Sequence, residues 1–255
     1  PGPCTRWNSV GTDTSVTLSG LAPDYTYHWQ VRAITPSETI EANGGAWWSF
    51  TTTDVSACTW SPYTQPGASS FTDVQMNWAT WNWIERLRNA GITQGCGAGV
   101  FCPLDSVTRQ HMAIFLLRAK YCGSVYTPPA VGDSTGFLDV QASWATAPWI
   151  KQLAADGITT GCGNGNFCPQ DVVTRQHMAI FLLRAMHGGT YSPPGLNGGG
   201  SGFADVDPAW VSAAWIKQLA EEGITQGCGF GNYCPLDAVS RQHMAIFLVR
   251  AFGLP

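Results

Sequence analysis

The 255-residue chain is 44% apolar but only 12% charged, about half the roughly 25% of ordinary globular proteins, and its formal net charge is −4. That length supports one to three domains with a sizeable core, and the acidic balance gives no basic surface for a phosphate backbone, so no nucleic-acid partner is expected. No apolar run approaches the ~20 residues that span a bilayer, and nine cysteines with 12 tryptophans point to an oxidising compartment.

In chain order, residues 1–54 read as strands: TRWNSVG from Thr5, SVTLSG from Ser15, YHWQVRAI from Tyr27 and WWSFTTT from Trp47. Alternation in the third puts Tyr27, Trp29, Val31 and Ala33 on one face. The run LAPDYTYHWQVRA from Leu21 resembles the later strands of a fibronectin type III module, with Tyr27 at the tyrosine-corner position. The resemblance covers half of such a sandwich, so Trp29 and Val31 should be exposed on an open inner face. The missing strands are expected either to have been removed from upstream or to be supplied by another chain, which is a route to polymerisation. The start, with no Met and no signal-like stretch, reads as a mature product or a fragment. If Cys58 pairs with Cys122, Cys4 is left for a partner upstream or on a neighbouring molecule.

Beyond residue 54 one unit recurs three times at a 66-residue period. Phe71, Phe137 and Phe203 open the copies; Gly91, Gly157 and Gly223 keep the same offset, and RQHMAIFL is identical in all three. The expected domains are 55–122, 123–187 and 188–255. Linkers begin YTQP, YTPP and YSPP, and GLNGGGSG before the third copy should be flexible in isolation. Each unit reads as helix–loop–helix. A first helix through WNWIERLRNA, with Trp83, Ile84 and Leu87 on one face, ends at a glycine C-cap. A glycine-rich loop follows, then a second helix with Thr108, Thr174 or Ser240 as N-cap. The second helix is apolar nearly all round, so the three should pack together with approximate threefold symmetry.

Six cysteines fall at one spacing, Cys96/Cys102, Cys162/Cys168 and Cys228/Cys234. Two thiols per copy fall short of the four ligands of a zinc site, so local disulfides are expected and no metal or other cofactor.

The pattern F-x-D-V, Trp, W-I-x-x-L, G-I-T, then T-R-x-x-M-A-x-F-L-x-R-A resembles the S-layer homology domain, over roughly residues 60–255. The resemblance implies a mainly α pseudo-threefold assembly of three repeats. It also implies non-covalent attachment to cell-envelope polysaccharide at the cell surface, through the segment matched by Thr108/Arg109, Thr174/Arg175 and Ser240/Arg241.

Arg109, Arg175 and Arg241 open the second helices, where unpaired backbone N–H groups and a guanidinium would suit an acidic sugar. The competing reading is an ion pair with Asp73, Asp139 and Asp205. Trp78, Trp144 and Trp210 precede the first helices, and sugar stacking and core packing both fit them. Where the family has Glu two residues after the arginine, this chain has His111, His177 and His243, which removes the carboxylate of a capping box. A three-histidine metal site is not expected, because helix starts should lie away from the pseudo-threefold axis. No nucleophile elbow, phosphate loop or HExxH occurs, so the chain is expected to be a non-catalytic extracellular structural protein, an anchor or a self-assembling subunit.

Overall fold

The computed structural model describes Ser9, Gly11, residues 26–51 and residues 58–255. SVTLSG, Cys4 and most of TRWNSVG lie outside the described residues. The chain divides into two compact units, residues 1–57 and 58–255. The described residues are mainly helical, with a small antiparallel β part.

In the first unit, β1 (Thr26–Trp29) pairs antiparallel with β4 (Trp48–Thr51), and β2 (Arg32–Ile34) with β3 (Thr39–Glu41). The single strand expected over YHWQVRAI is therefore two strands in two sheets, broken at Gln30–Val31. The break has a local cause. Gln30 Nε2 donates to the Gly45 carbonyl at 2.7 Å, and the Val31 carbonyl accepts the Ala42 N–H at 2.8 Å, so both residues bond to the intervening turn. Trp29 and Trp48, opposite each other in the ladder, stack at 4.8 Å. Trp29 stays 42% exposed and Val31 is exposed beside it.

The second unit holds six helices, two per repeat. The first helices are α1 (Trp81–Asn89), α3 (Ala147–Ala155) and α5 (Ala213–Glu221). The second helices are α2 (Arg109–Lys120), α4 (Arg175–His187) and α6 (Arg241–Ala251). Gly91, Gly157 and Gly223 follow the first helices at φ +69°, +72° and +73°, the left-handed region where a side chain is disfavoured. Ile84, Leu87 and their counterparts bury the inner face completely.

A helix that is apolar all round needs several partners, and the repeats supply them by exchange. α2 packs chiefly on α3 of the next repeat, α4 on α5, and α6 returns to α1. The second helices also touch, α2 with α4 and α4 with α6, but their larger contact is with the next first helix, not with one another as expected. Just before the second helices, the Val107 N–H donates to Val239, Val239 to Val173, and Val173 to Val107, each at 2.9 Å. This is a closed cycle of hydrogen bonds among three buried valines.

Disulfides join Cys96–Cys102, Cys162–Cys168, Cys228–Cys234 and Cys58–Cys122. The glycine-rich linker lies at the surface, with residues 197–200 exposed, and is tied to the fold at two points. Leu196 packs on the core, its carbonyl accepts the Gly199 N–H at 2.8 Å, and Ser201 is buried.

Candidate functional site at the repeat junctions

Each junction begins with an aspartate. The Asp73 carboxylate accepts the N–H groups of Phe101 and Cys102, both at 2.7 Å. Asp139 does the same for Phe167 and Cys168, and Asp205 for Tyr233 and Cys234. The aspartate thereby fixes the peptide at the end of the disulfide-closed loop, and the carbonyl of that peptide meets an arginine from another repeat. Arg109 Nε donates to Phe167 O, Arg175 Nε to Tyr233 O and Arg241 Nε to Phe101 O, each at 2.7 Å. Two rings flank each guanidinium: Phe167 and Phe181 for Arg109, at 4.9 and 5.3 Å from the ring centres. Tyr233 and Phe247 flank Arg175, and Phe101 and Phe115 flank Arg241.

These contacts correct two sequence expectations. The expected Arg–Asp ion pair is not formed within a repeat; the aspartates hold backbone amides, and the arginines reach across to the next repeat's carbonyl. Nor do the second helices present free N–H groups at their first two positions. Arg109 N donates to Asp171 O and Gln110 N to Pro169 O; Arg175 and Gln176 use Asp237 and Pro235, and Arg241 and Gln242 use Asp105 and Pro103. An anion here has to be met by side chains. Arg175 and Arg241 are only 8% and 9% exposed, yet Nη2 of all three arginines is buried without a hydrogen-bond partner. That leaves strong donor capacity unused at each junction.

The other predicted residues come to the same places. Gln110 and Thr146 share a hydrogen bond across the first junction at 3.3 Å, as do Gln176 and Ser212 at 3.0 Å and Gln242 and Thr80 at 3.1 Å. Trp144, Trp210 and Trp78 lie two residues before Thr146, Ser212 and Thr80, so each junction joins the arginine of one repeat to the tryptophan segment of the next. Trp78 and Trp144 are half-buried against the core, while Trp210 is 38% exposed. Trp83, Trp149 and Trp215, on the first helices, each carry a cation above the ring, Arg250, Arg118 and Arg184 respectively, and Trp215 is buried.

Thr108 and Thr174 do not cap their helices through the backbone. Their hydroxyls bond Nδ1 of His111 and His177 at 3.0 Å, while Ser240 accepts the His243 N–H. All three imidazoles have pKa values below the ordinary range. Partial burial is the larger cause, and the guanidinium of the preceding repeat the second: Arg241 for His111, Arg109 for His177 and Arg175 for His243. A lowered histidine pKa means stability that is present above the ordinary value near 6.5 and is lost as pH falls through the folded one. Shifting from pH 7.5 to 5.5 is therefore expected to lower the Tm by a few degrees. A triple His111→Asn, His177→Asn, His243→Asn variant should flatten that slope, as read by thermal unfolding monitored at 222 nm.

Two features were missed from the sequence. The backbone-holding aspartates were visible only as possible ion-pair partners. Glu85, 3% exposed, accepts from Ser70 N at 2.8 Å, Ser70 Oγ at 2.6 Å and Trp81 Nε1 at 3.2 Å. Its counterparts Lys151 and Lys217 gave no signal of such a role. Asp205, Cys228 and Cys234 lie close enough to suggest a cation, but both sulfurs are in one disulfide and the carboxylate is committed to amides.

Residues 70–113 and 136–179 match the family model of the S-layer homology domain. An endoglucanase of Bacillus sp. (strain KSM-635) is 28% identical over 141 residues, 55% of this chain and 14% of that protein. An uncharacterized cell wall amidase of Bacillus anthracis is 32% identical over 116 residues, 45% of this chain and 20% of its own length. A cell surface protein of Thermoanaerobacter kivui is 27% identical over 186 residues, 72% of this chain and 21% of that protein. The chain thus spans a fifth or so, or less, of these relatives. No helix among the described residues is long and apolar enough to cross a membrane. Two of the three repeats, over residues 70–113 and 136–179, are S-layer homology domains.

Proposed function

We propose that residues 58–255 form a pseudo-threefold body of three S-layer homology repeats that anchors the protein non-covalently to cell-envelope polysaccharide at the cell surface. The third copy, opened by Phe203, makes the same cross-repeat bonds as the two matched copies. The observation that carries the reading is the cyclic exchange, which brings the tryptophan segment of one repeat to the start of the second helix of its neighbour three times over. Half-buried to exposed indole rings offer an apolar platform for a sugar face. The body has no catalytic role in this reading, and the cell-surface protein of Thermoanaerobacter kivui supports it as a relative over 72% of the chain.

The arginines are buried and structural, so the cleaner test removes the tryptophans. A triple Trp78→Ala, Trp144→Ala, Trp210→Ala variant should lose at least tenfold in affinity for purified cell-wall polysaccharide, at about 1–3 kcal/mol per ring–ligand contact. Full binding by a folded triple variant, in a sedimentation assay, would remove the tryptophans from the site.

A second reading concerns the N-terminal unit, proposed as the later half of a fibronectin type III-like module that joins neighbouring molecules by strand addition. Exposed Trp29, Ile34 and Ile40 on its short strands, with exposed Val31 at the break between β1 and β2, favour it. A monodisperse monomer at high concentration by light scattering would count against it.

A further inference from the structure

One disulfide of the second unit is unlike the others. Cys96–Cys102, Cys162–Cys168 and Cys228–Cys234 recur once per repeat and each close a loop with a sequence separation of 6. Cys58–Cys122 has a separation of 64 and encloses the whole of the first repeat's two helices. At the 66-residue offset its positions are held by Ser124 and Gly188, then by Thr190 and Leu254. Cys58 is also the first residue of the second unit, where the chain arrives from the N-terminal unit. We propose that the Cys58–Cys122 disulfide is a tension bypass, which carries a pull on the N-terminal side of the chain past the first repeat to the end of α2. This rests on the anchoring function proposed above, since only a tethered body is pulled, and adds to it a mechanical role for one bond.

A cross-link that served a repeat's own stability would be as useful in the second and third copies. What sets the first apart is its entry: the others receive the chain from a repeat already in the cycle, the first from outside it. Residues 58–80 contain no helix and meet α1 through separate contacts. Asn89 Nδ2 donates to Ser61 O at 3.4 Å, the Tyr63 hydroxyl to Asn82 Oδ1 at 2.8 Å, and the Ser70 N–H and hydroxyl to Glu85 at 2.8 and 2.6 Å. Without the cross-link a pull on residue 58 loads these bonds one after another, and then α1 itself. The chief partner of α1 is α6, so peeling the entry opens the cycle where the last repeat closes on the first.

With the cross-link the pull arrives at Cys122, just beyond α2. There Tyr121 donates to Asp156 at 2.8 Å and Lys120 to the Ala185 carbonyl at 3.3 Å, both in the second repeat. Helix α2 itself packs on α3 and α4. The pull is shared by several contacts at once between two repeats, and residues 59–121 lie outside its path.

Forced unfolding follows the unfolding rate rather than equilibrium stability, so the test is opening at constant force in an optical trap. The full chain is held at residue 255 and at a ligation tag inserted after Ser56. A Cys58→Ser, Cys122→Ser double variant should open about tenfold faster than the wild type at the same force. Its first step should be roughly 200 Å, the extended length of the first repeat with the Cys96–Cys102 loop still closed. With the tag moved to follow Pro129, an exposed residue of the next linker, the two chains should open at equal rates. A third chain has the wild-type cysteines and a protease site at exposed Gly67, cut after folding, and should open as slowly as the uncut chain. Equal rates for variant and wild type from the first tag, the same acceleration from both tags, or faster opening of the cut chain would each overturn the bypass. The cut chain decides alone if the double variant does not fold. None of these results touches polysaccharide binding, whose failure in the sedimentation assay would remove the anchoring function and leave the measured path of force unchanged.

Discussion

Replacing Asp139 by Ala is expected to destabilise the second unit by about 3–5 kcal/mol, as much as truncating a fully buried core leucine to alanine. The carboxylate meets two amides at 2.7 Å, those of Phe167 and Cys168, and Phe167 is fully buried. Removing it orphans both donors, at about 1–3 kcal/mol each, and charge-assisted bonds lie toward the upper end. The loss then spreads across the junction, because the carbonyl of Phe167 is the acceptor for Arg109 Nε. An Asn in the same place keeps one acceptor and turns an NH2 group toward the other amide, so Asp139→Asn should cost about half as much. For a unit of this size the alanine variant corresponds to a Tm lower by about 10 °C. Urea unfolding checks it, and a loss below about 1 kcal/mol would mean that the loop is held by its disulfide alone. The same substitution at Asp73 or Asp205 should behave alike, because each repeats the pair of 2.7 Å bonds.

How much of this was legible in the sequence follows from which contacts are local. The helix pairs, their glycine ends and the six-residue disulfide loops are set within a repeat, and the 66-residue period exposes them directly. The pairing of Cys58 with Cys122 was one of several options until the chain was folded. The partners of Arg109, Arg175 and Arg241 differ from the ion pair that the sequence offered as one of two readings, for a physical reason. Asp73 is near enough in sequence to invite an ion pair with Arg109, but the arginine acts 58 residues away on Phe167, and Arg241 acts 140 residues away on Phe101. Three identical copies make within-repeat and cross-repeat contacts indistinguishable by pattern, since the same residue types answer both. The helix N-terminus was misjudged for the same reason: its open donors are filled by carbonyls at Asp171 and Pro169 of another copy. In the N-terminal unit, period-2 alternation over Tyr27–Ile34 gave no sign that Gln30 and Val31 bond to the turn and break the strand.

A chain that stops at residue 187 is expected not to fold as a monomer, although two intact repeats remain in it. The first helix α1 has α6 of the third repeat as its chief partner, and removing α6 uncovers the side of α1 that it covers. The valine cycle opens, since Val107 N loses Val239 O and Val173 O loses the Val239 N–H. Phe101 O loses Arg241, and Arg175 loses both Tyr233 O and the ring beneath it. Five severed junction contacts and an uncovered α1 outweigh what the remaining first junction, Arg109 on Phe167, can hold. The fragment should be unfolded by circular dichroism or associate into dimers that rebuild the cycle between chains, which gel filtration separates. A monomer with slow hydrogen exchange in α1 would show that the repeats stack as an open row. The converse is a circular permutant of residues 58–255, cut within 195–200 and with residue 255 tied to 58 by a flexible linker. It keeps every junction and severs only a surface connection, so its Tm should stay within a few degrees of the parent.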